Sequence, residues 1–171
     1  MKLYALPAVI FVLGSCASMS SDNPDSLNFE IPSGSTLSLN KPLTISDGKT
    51  HTYIQSNAQS TEKKVNRYEI NCRLDFKKFG PRTIEPEVFR ITRTEDSQEW
   101  YSYPTIKRFW TTVYLASDKD TDVIKLDCEY WGDGTDRNFT VTEMQQSLGE
   151  LMTFTFPATK KDKGSTDQGA K

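Results

Sequence analysis

The residues of this chain able to do chemistry are sparse. One histidine and three cysteines stand among 171 residues, which removes two-histidine metal sites and hangs any histidine-dependent triad on His51 alone. Asp118, Asp120 and Asp122 alternate, and Glu129 is the twelfth position counted from Asp118, the outline of a calcium loop. Val123 fills the position that needs glycine, and Lys125 puts a cation where such loops are apolar. The stretch therefore reads as a charged hairpin turn. Glu85, Glu87, Glu95, Glu99, Asp133 and Asp136 offer carboxylate pairs of the kind that glycoside hydrolysis needs. Any acidic chain offers such pairs, and solvated outward or turn positions are the simpler reading. With no nucleophile motif beside them, no catalytic residue, metal site or cofactor is expected, and the chain reads as a non-enzyme.

Binding chemistry is better represented. Trp100, Tyr101, Tyr103, Phe109 and Trp110 crowd together with Pro104, Lys107 and Arg108, the densest aromatic stretch of the sequence. Large rings beside cations stack on sugars or anchor protein interfaces, because they bury area at low entropy cost. The competing account puts Phe109 and Trp110 on opposite faces of a central strand, with the other rings covering its hairpin. The expectation is that the loop from Trp100 to Tyr103, flanked by Lys107 and Arg108, is a contact surface for a partner. Lys77, Lys78 and Arg82 form a second basic cluster that reads as a solvated loop. A formal net charge of -2 argues against nucleic acid as that partner.

The elements that position these residues are strands. From Arg67 to Phe76, Tyr68, Ile70, Cys72, Leu74 and Phe76 alternate with Arg67, Glu69, Asn71, Arg73 and Asp75, the period of a half-buried strand. Val123 to Tyr130 repeats the pattern, and Glu87 to Arg93 sets Val88, Arg90 and Thr92 against Phe89 and Ile91. Ile106 to Ala116 is apolar on both faces, as a central strand is. Shorter strands fit Thr36 to Leu39, Leu43 to Ile45, Thr52 to Gln55 and Leu151 to Phe156, with turns at Gly34, Asp47-Gly48, Gly80-Pro81 and Gly132-Asp133-Gly134. Thr140 with Glu143, or Thr142 with Gln145, predicts a capped helix that Gly149 ends. The fold class is all-β, an antiparallel sandwich or barrel-like domain with one short helix.

The N-terminus carries an address. Lys2, an apolar run from Leu3 to Leu13, then Gly14, Ser15 and Cys16 match a secretory signal. As a helix that run would reach roughly 16 Å, about half of a hydrocarbon core, so it does not span a membrane. Leu13-Gly14-Ser15-Cys16 resembles the lipobox of bacterial lipoproteins. The resemblance implies cleavage after residue 15, lipidation of Cys16 and attachment to the membrane through that lipid anchor, and Ala17 in the next position implies sorting to the outer membrane. The expected organisation is a signal at 1–15, a polar tether at 16–26, a β-rich domain at 27–157 and a disordered tail at 158–171. The stretch from Arg67-Tyr68-Glu69-Ile70-Asn71-Cys72 to Thr83-Ile84-Glu85-Pro86-Glu87-Val88-Phe89-Arg90 further resembles uncharacterised β-rich lipoproteins of Gram-negative bacteria, which brings no activity with it.

Cys72 and Cys128 fall on the inward faces of clean strands in a chain addressed to an oxidising compartment, so a disulfide between them is expected. Three functions are then in play. The first is a non-catalytic envelope protein that binds an envelope protein or glycan or supports an assembly. The second is a glycan or peptidoglycan hydrolase with paired carboxylates, and the third a binder of lipid or a small ligand inside a β-barrel.

Overall fold

The computed structural model describes residues 21–119 and 121–157. Cys16, the leader expected at 1–15 and the tail expected at 158–171 lie outside them. The elements run β1 (Thr36–Leu39), β2 (Leu43–Ile45), β3 (His51–Gln55), β4 (Ala58–Ser60), β5 (Asn71–Phe76), β6 (Arg82–Ile84), β7 (Glu87–Ser102), β8 (Ile106–Ser117), β9 (Val123–Gly132), α1 (Val141–Leu148) and β10 (Met152–Thr155). Eight strands form one antiparallel sheet in the order β10-β1-β7-β8-β9-β5-β3-β4, curled into a half barrel, and β2 and β6 make a separate ribbon.

Alternation builds the core. Cys72, Leu74 and Phe76 of β5, Leu126 and Cys128 of β9, Phe109 and Val113 of β8, Phe89 of β7 and Leu37 and Leu39 of β1 are all buried, each large side chain contributing about 1.5–3 kcal/mol. Helix α1 brings Val141, Met144 and Leu148 and touches β10 near one end of the sheet and β5 and β3 near the other. It therefore fills the inside of the curl, and the β2–β6 ribbon adds Leu43, Ile45 and Ile84. The helix starts at Thr140, whose hydroxyl accepts from Glu143 N while the Glu143 carboxylate accepts from Thr140 N, and Gly149 caps its end. Cys72 and Cys128 are direct cross-strand partners and form the disulfide, with an S–S distance of 2.05 Å.

The boundaries differ in places from those that periodicity suggests. β5 opens at Asn71 rather than Arg67, because Asn66 closes a turn: its Oδ1 accepts from Tyr68 N at 3.1 Å. Tyr68, inward by alternation, is instead 61% exposed. β7 runs on to Ser102, so Trp100 and Tyr101 are strand residues rather than loop residues, and only the following three residues turn the chain. Within the stretch whose composition suggests a tether, residues 21–26 fold as turns held by Ser21, Asn23 and Ser26 side chains, and Pro24 O accepts from Thr142 N at 3.3 Å.

Candidate functional site

Residues that alternate with the core positions of β5, β8 and β9 face outward, and many are charged. Register sets Asp75 opposite Lys125, Arg73 opposite Asp127 and Asn71 opposite Glu129, and opposite charges meet along these rows. Arg73 donates to Asp75 at 2.9 Å and to Asp127 at 3.2 Å, Lys125 Nζ lies 2.6 Å from Asp127, and the Thr112 hydroxyl donates to Asp127 at 2.7 Å. Burial opposes the charge on Arg73, but the hydrogen bond to Asp75 and the charges of Asp75 and Asp127 more than offset it and raise the guanidinium pKa.

Glu129 is the centre of the next row. Arg67 Nη1 donates to its Oε1 and Arg108 Nε to its Oε2, both at 2.6 Å, and Arg108 also reaches Glu99 at 3.2 Å. Arg67 arrives from the β4–β5 connection, which folds over this face. Gln55 holds that connection by donating to Asn66 O at 2.8 Å and accepting from Asn66 N at 3.0 Å, and Trp131 N donates to Arg67 O at 2.7 Å. Under this cover Glu129 is only 8% exposed despite its outward position. The result is a cleft of about 390 Å³ whose lining includes Arg67, Asn71, Tyr101, Arg108, Glu129 and Trp131. Asn71 uses its amide nitrogen on Glu69 O and Glu129 O. Its buried Oδ1, and the buried Nε1 of Trp131, have no hydrogen-bond partner among the described residues.

A β-bulge completes the rim. Trp100 pairs with Lys107 and Ser102 with Ile106, so Tyr101 is the unpaired extra residue, and a bulge re-aims the side chain it carries. The Tyr101 ring stacks on Trp131 with centroids 4.3 Å apart, Tyr68 meets Trp131 edge-on at 6.3 Å, and the Arg67 guanidinium lies 5.2 Å from the same indole. Tyr101 keeps 62% of its surface exposed, so its outer face is open.

The five residues expected at the contact surface are thus divided between two sides of one hairpin. Tyr101 and Arg108 belong to the cleft. Trp100 stands on the other side with Tyr103, centroids 5.1 Å apart, and with Lys107 Nζ 5.7 Å from its ring. A Cβ at Gly134 would come within 2.6 Å of the Trp100 ring, so that ring packs directly on the turn after β9. Phe109 is buried and stacked on Tyr130, and Trp110, half-buried, lies on the opposite face beneath Arg108.

The remaining candidates have separate partners. Arg90 donates to Asp118 at 2.9 Å, and Arg82 to both oxygens of Asp122 at 3.0 Å; with Glu129 held in the cleft, these carboxylates do not converge. Asp120 is outside the described residues. Arg82 is thereby withdrawn from the basic cluster, while Lys77 and Lys78 are exposed. Glu87, expected to be solvated, is buried and accepts from the Ser117 hydroxyl at 2.7 Å, because β7 turns it toward the core side of the sheet end. Glu95 accepts from Tyr114. Asp133 accepts from the Thr135 hydroxyl and backbone, which lowers its pKa, and Asp136 accepts from Asp133 N, so this pair shapes a turn. His51 opens β3 edge-on to Tyr53, and burial first, then the Arg73 charge, lower its pKa below 6.5. Arg67, Asn71, Glu129 and Trp131 emerge from the structure as site residues. Their only trace in the sequence is alternation, which sets Asn71 and Glu129 outward on their strands and continues to Trp131.

Compared with known proteins, the chain matches no protein-family model, no curated protein and no solved structure.

Proposed function

We propose that this chain is a non-catalytic, lipid-anchored binding module of the bacterial outer membrane, which holds an envelope partner with the cleft and the adjoining β7–β8 hairpin tip. The observation that carries the reading is the Tyr101–Trp131 stack beside the Arg67–Glu129–Arg108 clamp. Exposed rings next to guanidiniums are the composition of binding hot spots. Both oxygens of Glu129 are engaged by arginine and Glu99 is tied to Arg108, which favours binding over hydrolysis. The inside of the curl is filled by α1 and apolar side chains, which favours the outer face over a barrel cavity as the place of contact. The anchor rests on the resemblance of Leu13-Gly14-Ser15-Cys16 to a lipobox.

The test is site-specific photo-crosslinking in intact cells from position 101 and from position 103, with Val88, which is 53% exposed on another part of the sheet, as the control position. Crosslinks are expected from 101 or 103 and not from 88; those from 101 should be lost on double substitution of Trp100 and Tyr103 by Ala and those from 103 on Tyr101→Ala, and Cys16→Ser should move the protein out of the membrane fraction. A wild-type chain that gives no specific crosslink, or a Cys16→Ser chain that stays membrane-bound and still incorporates a fatty-acid label, overturns the reading.

A further inference from the structure

We infer that the Tyr101–Trp131 cleft is a subsite for a neutral sugar ring of an envelope glycan. The inference rests on the binding-module reading and names its ligand. Every arginine of the cleft is already balanced: Arg67 and Arg108 share Glu129, and Arg73 is held by Asp75 and Asp127. An anionic ligand would have to displace one of these carboxylates. What the cleft leaves open is different in kind. Tyr101, 62% exposed, presents an open ring face at the cleft, and behind it one buried acceptor, Asn71 Oδ1, and one buried donor, Trp131 Nε1, lack partners among the described residues.

A sugar supplies the complement of that set. The C–H face of a pyranose lies flat on an aromatic ring such as Tyr101, and because each hydroxyl both donates and accepts, a sugar serves an amide oxygen and an indole N–H alike once the lining side chains shift to uncover them. The carbonyl-side orientation of Asn71 is fixed, because its nitrogen is used on two backbone oxygens. A protein partner fits less well. A helix about 10 Å across does not enter a cleft of about 390 Å³. β5, β9 and β8 are paired on both sides and offer no backbone edge to an added strand; β7 has no β1 partner beyond Arg90, so a strand added there is the protein outcome that crosslinking from position 101 detects.

The experiment is ligand-observed NMR on the full-length protein in detergent, with chitotetraose and cellotetraose as neutral probes and inorganic phosphate as the anionic one. At least one oligosaccharide is expected to bind at concentrations below about 10 mM, and phosphate is expected neither to bind nor to compete. Tyr101→Ala should weaken binding about tenfold with an unchanged urea midpoint, and Trp131→Phe, which keeps an aromatic ring but removes the indole N–H together with part of the stacking face, about fivefold. If Trp131→Phe fails to fold, the exposed Tyr101 still decides the matter. Failure of both sugars to bind, competition by phosphate, or full affinity in Tyr101→Ala overturns the inference. Cellular crosslinks from position 101 to a protein, together with no sugar binding, remove the sugar subsite and leave the binding module standing. Absence of both removes both.

Discussion

Glu129 shows how one side chain organises the outer face. Its two oxygens join Arg67, from the β4–β5 connection, to Arg108 of β8, with donor distances of 2.6 Å and only 10% of the side chain exposed. Removing one partner from a covered ion pair leaves the others uncompensated and destabilises more than the pair itself contributes. Glu129→Ala, which leaves two guanidiniums facing each other, should lower unfolding free energy by about 2–4 kcal/mol in urea denaturation. Lys41→Ala is the comparison, since the Lys41–Glu150 pair has side chains 53% and 78% exposed, and its loss should change stability by less than about 0.5 kcal/mol. Equal effects from the two variants would mean that the Glu129 network is screened like a surface pair. That Asn71, Arg73, Asp127 and Glu129 share a face was legible in the alternation of their strands. That the face is covered was not, because the cover comes from residues 61–70 and from a bulge, and neither has a period to read.

Among the elements, the helix was the most readable because its ends are chemically marked. Thr140 and Glu143 cap each other, and Glu143 also receives Arg137 at 2.8 Å. Thr140→Ala should destabilise the protein by about 1 kcal/mol, measured by thermal or urea unfolding. The same carboxylate gives the helix a pH dependence. The hydrogen bond from Arg137, followed by those within the capping box, lowers the Glu143 pKa below its ordinary 4.5 against the opposing effect of burial. A carboxylate whose pKa is lower folded than unfolded adds stability that is complete above the unfolded value and is lost as pH falls through the folded one. Melting temperature followed from pH 7 down to about 3 should therefore drop less steeply below 4.5 in Glu143→Gln than in wild type, and parallel curves would mean that the cap does not titrate. The β7–β8 hairpin was harder to read. Its far half is polar on both faces, with Glu95, Ser97 and Glu99 alternating with Asp96 and Gln98, because β1 pairs with β7 only as far as Arg90 and leaves the rest of the strand as a sheet edge. Its length is set by pairing with β8 all the way to Ser102, a partner that alternation within β7 does not reveal. Sequence thus located the aromatic cluster but not its division, since only the bulge at Tyr101 turns that ring onto Trp131 while Trp100 stays on the opposite side.

The disulfide ties the core of the molecule to its outer face. Cys72 and Cys128 are opposite each other in the two strands whose next residues, Asn71 and Glu129, line the cleft and are themselves paired. The bond is made from the core side of the sheet, yet it fixes the relative height of β5 and β9, and with it the spacing of the groups that face outward. It also closes a loop with a sequence separation of 56, which contains β6, β7 and β8 and so the whole β7–β8 hairpin. Confining a loop of that length in the unfolded chain stabilises the fold by about 4 kcal/mol on the loop-entropy estimate, comparable with the net stability of a small domain. The double variant Cys72→Ala, Cys128→Ala should therefore lose about 2–5 kcal/mol in urea, and wild type treated with reductant should shift in the same direction. Because β5 and β9 also pair through Arg73–Asp127 and Asp75–Lys125, the strands should stay together without the bond, and the loss should appear as a lower midpoint with a somewhat steeper urea slope, the sign of an unfolded state freed to expand rather than a native sheet opened. A shallower slope or a second transition would place the effect in the native sheet instead, and an unchanged midpoint would mean that strand pairing alone holds the two halves of the cleft.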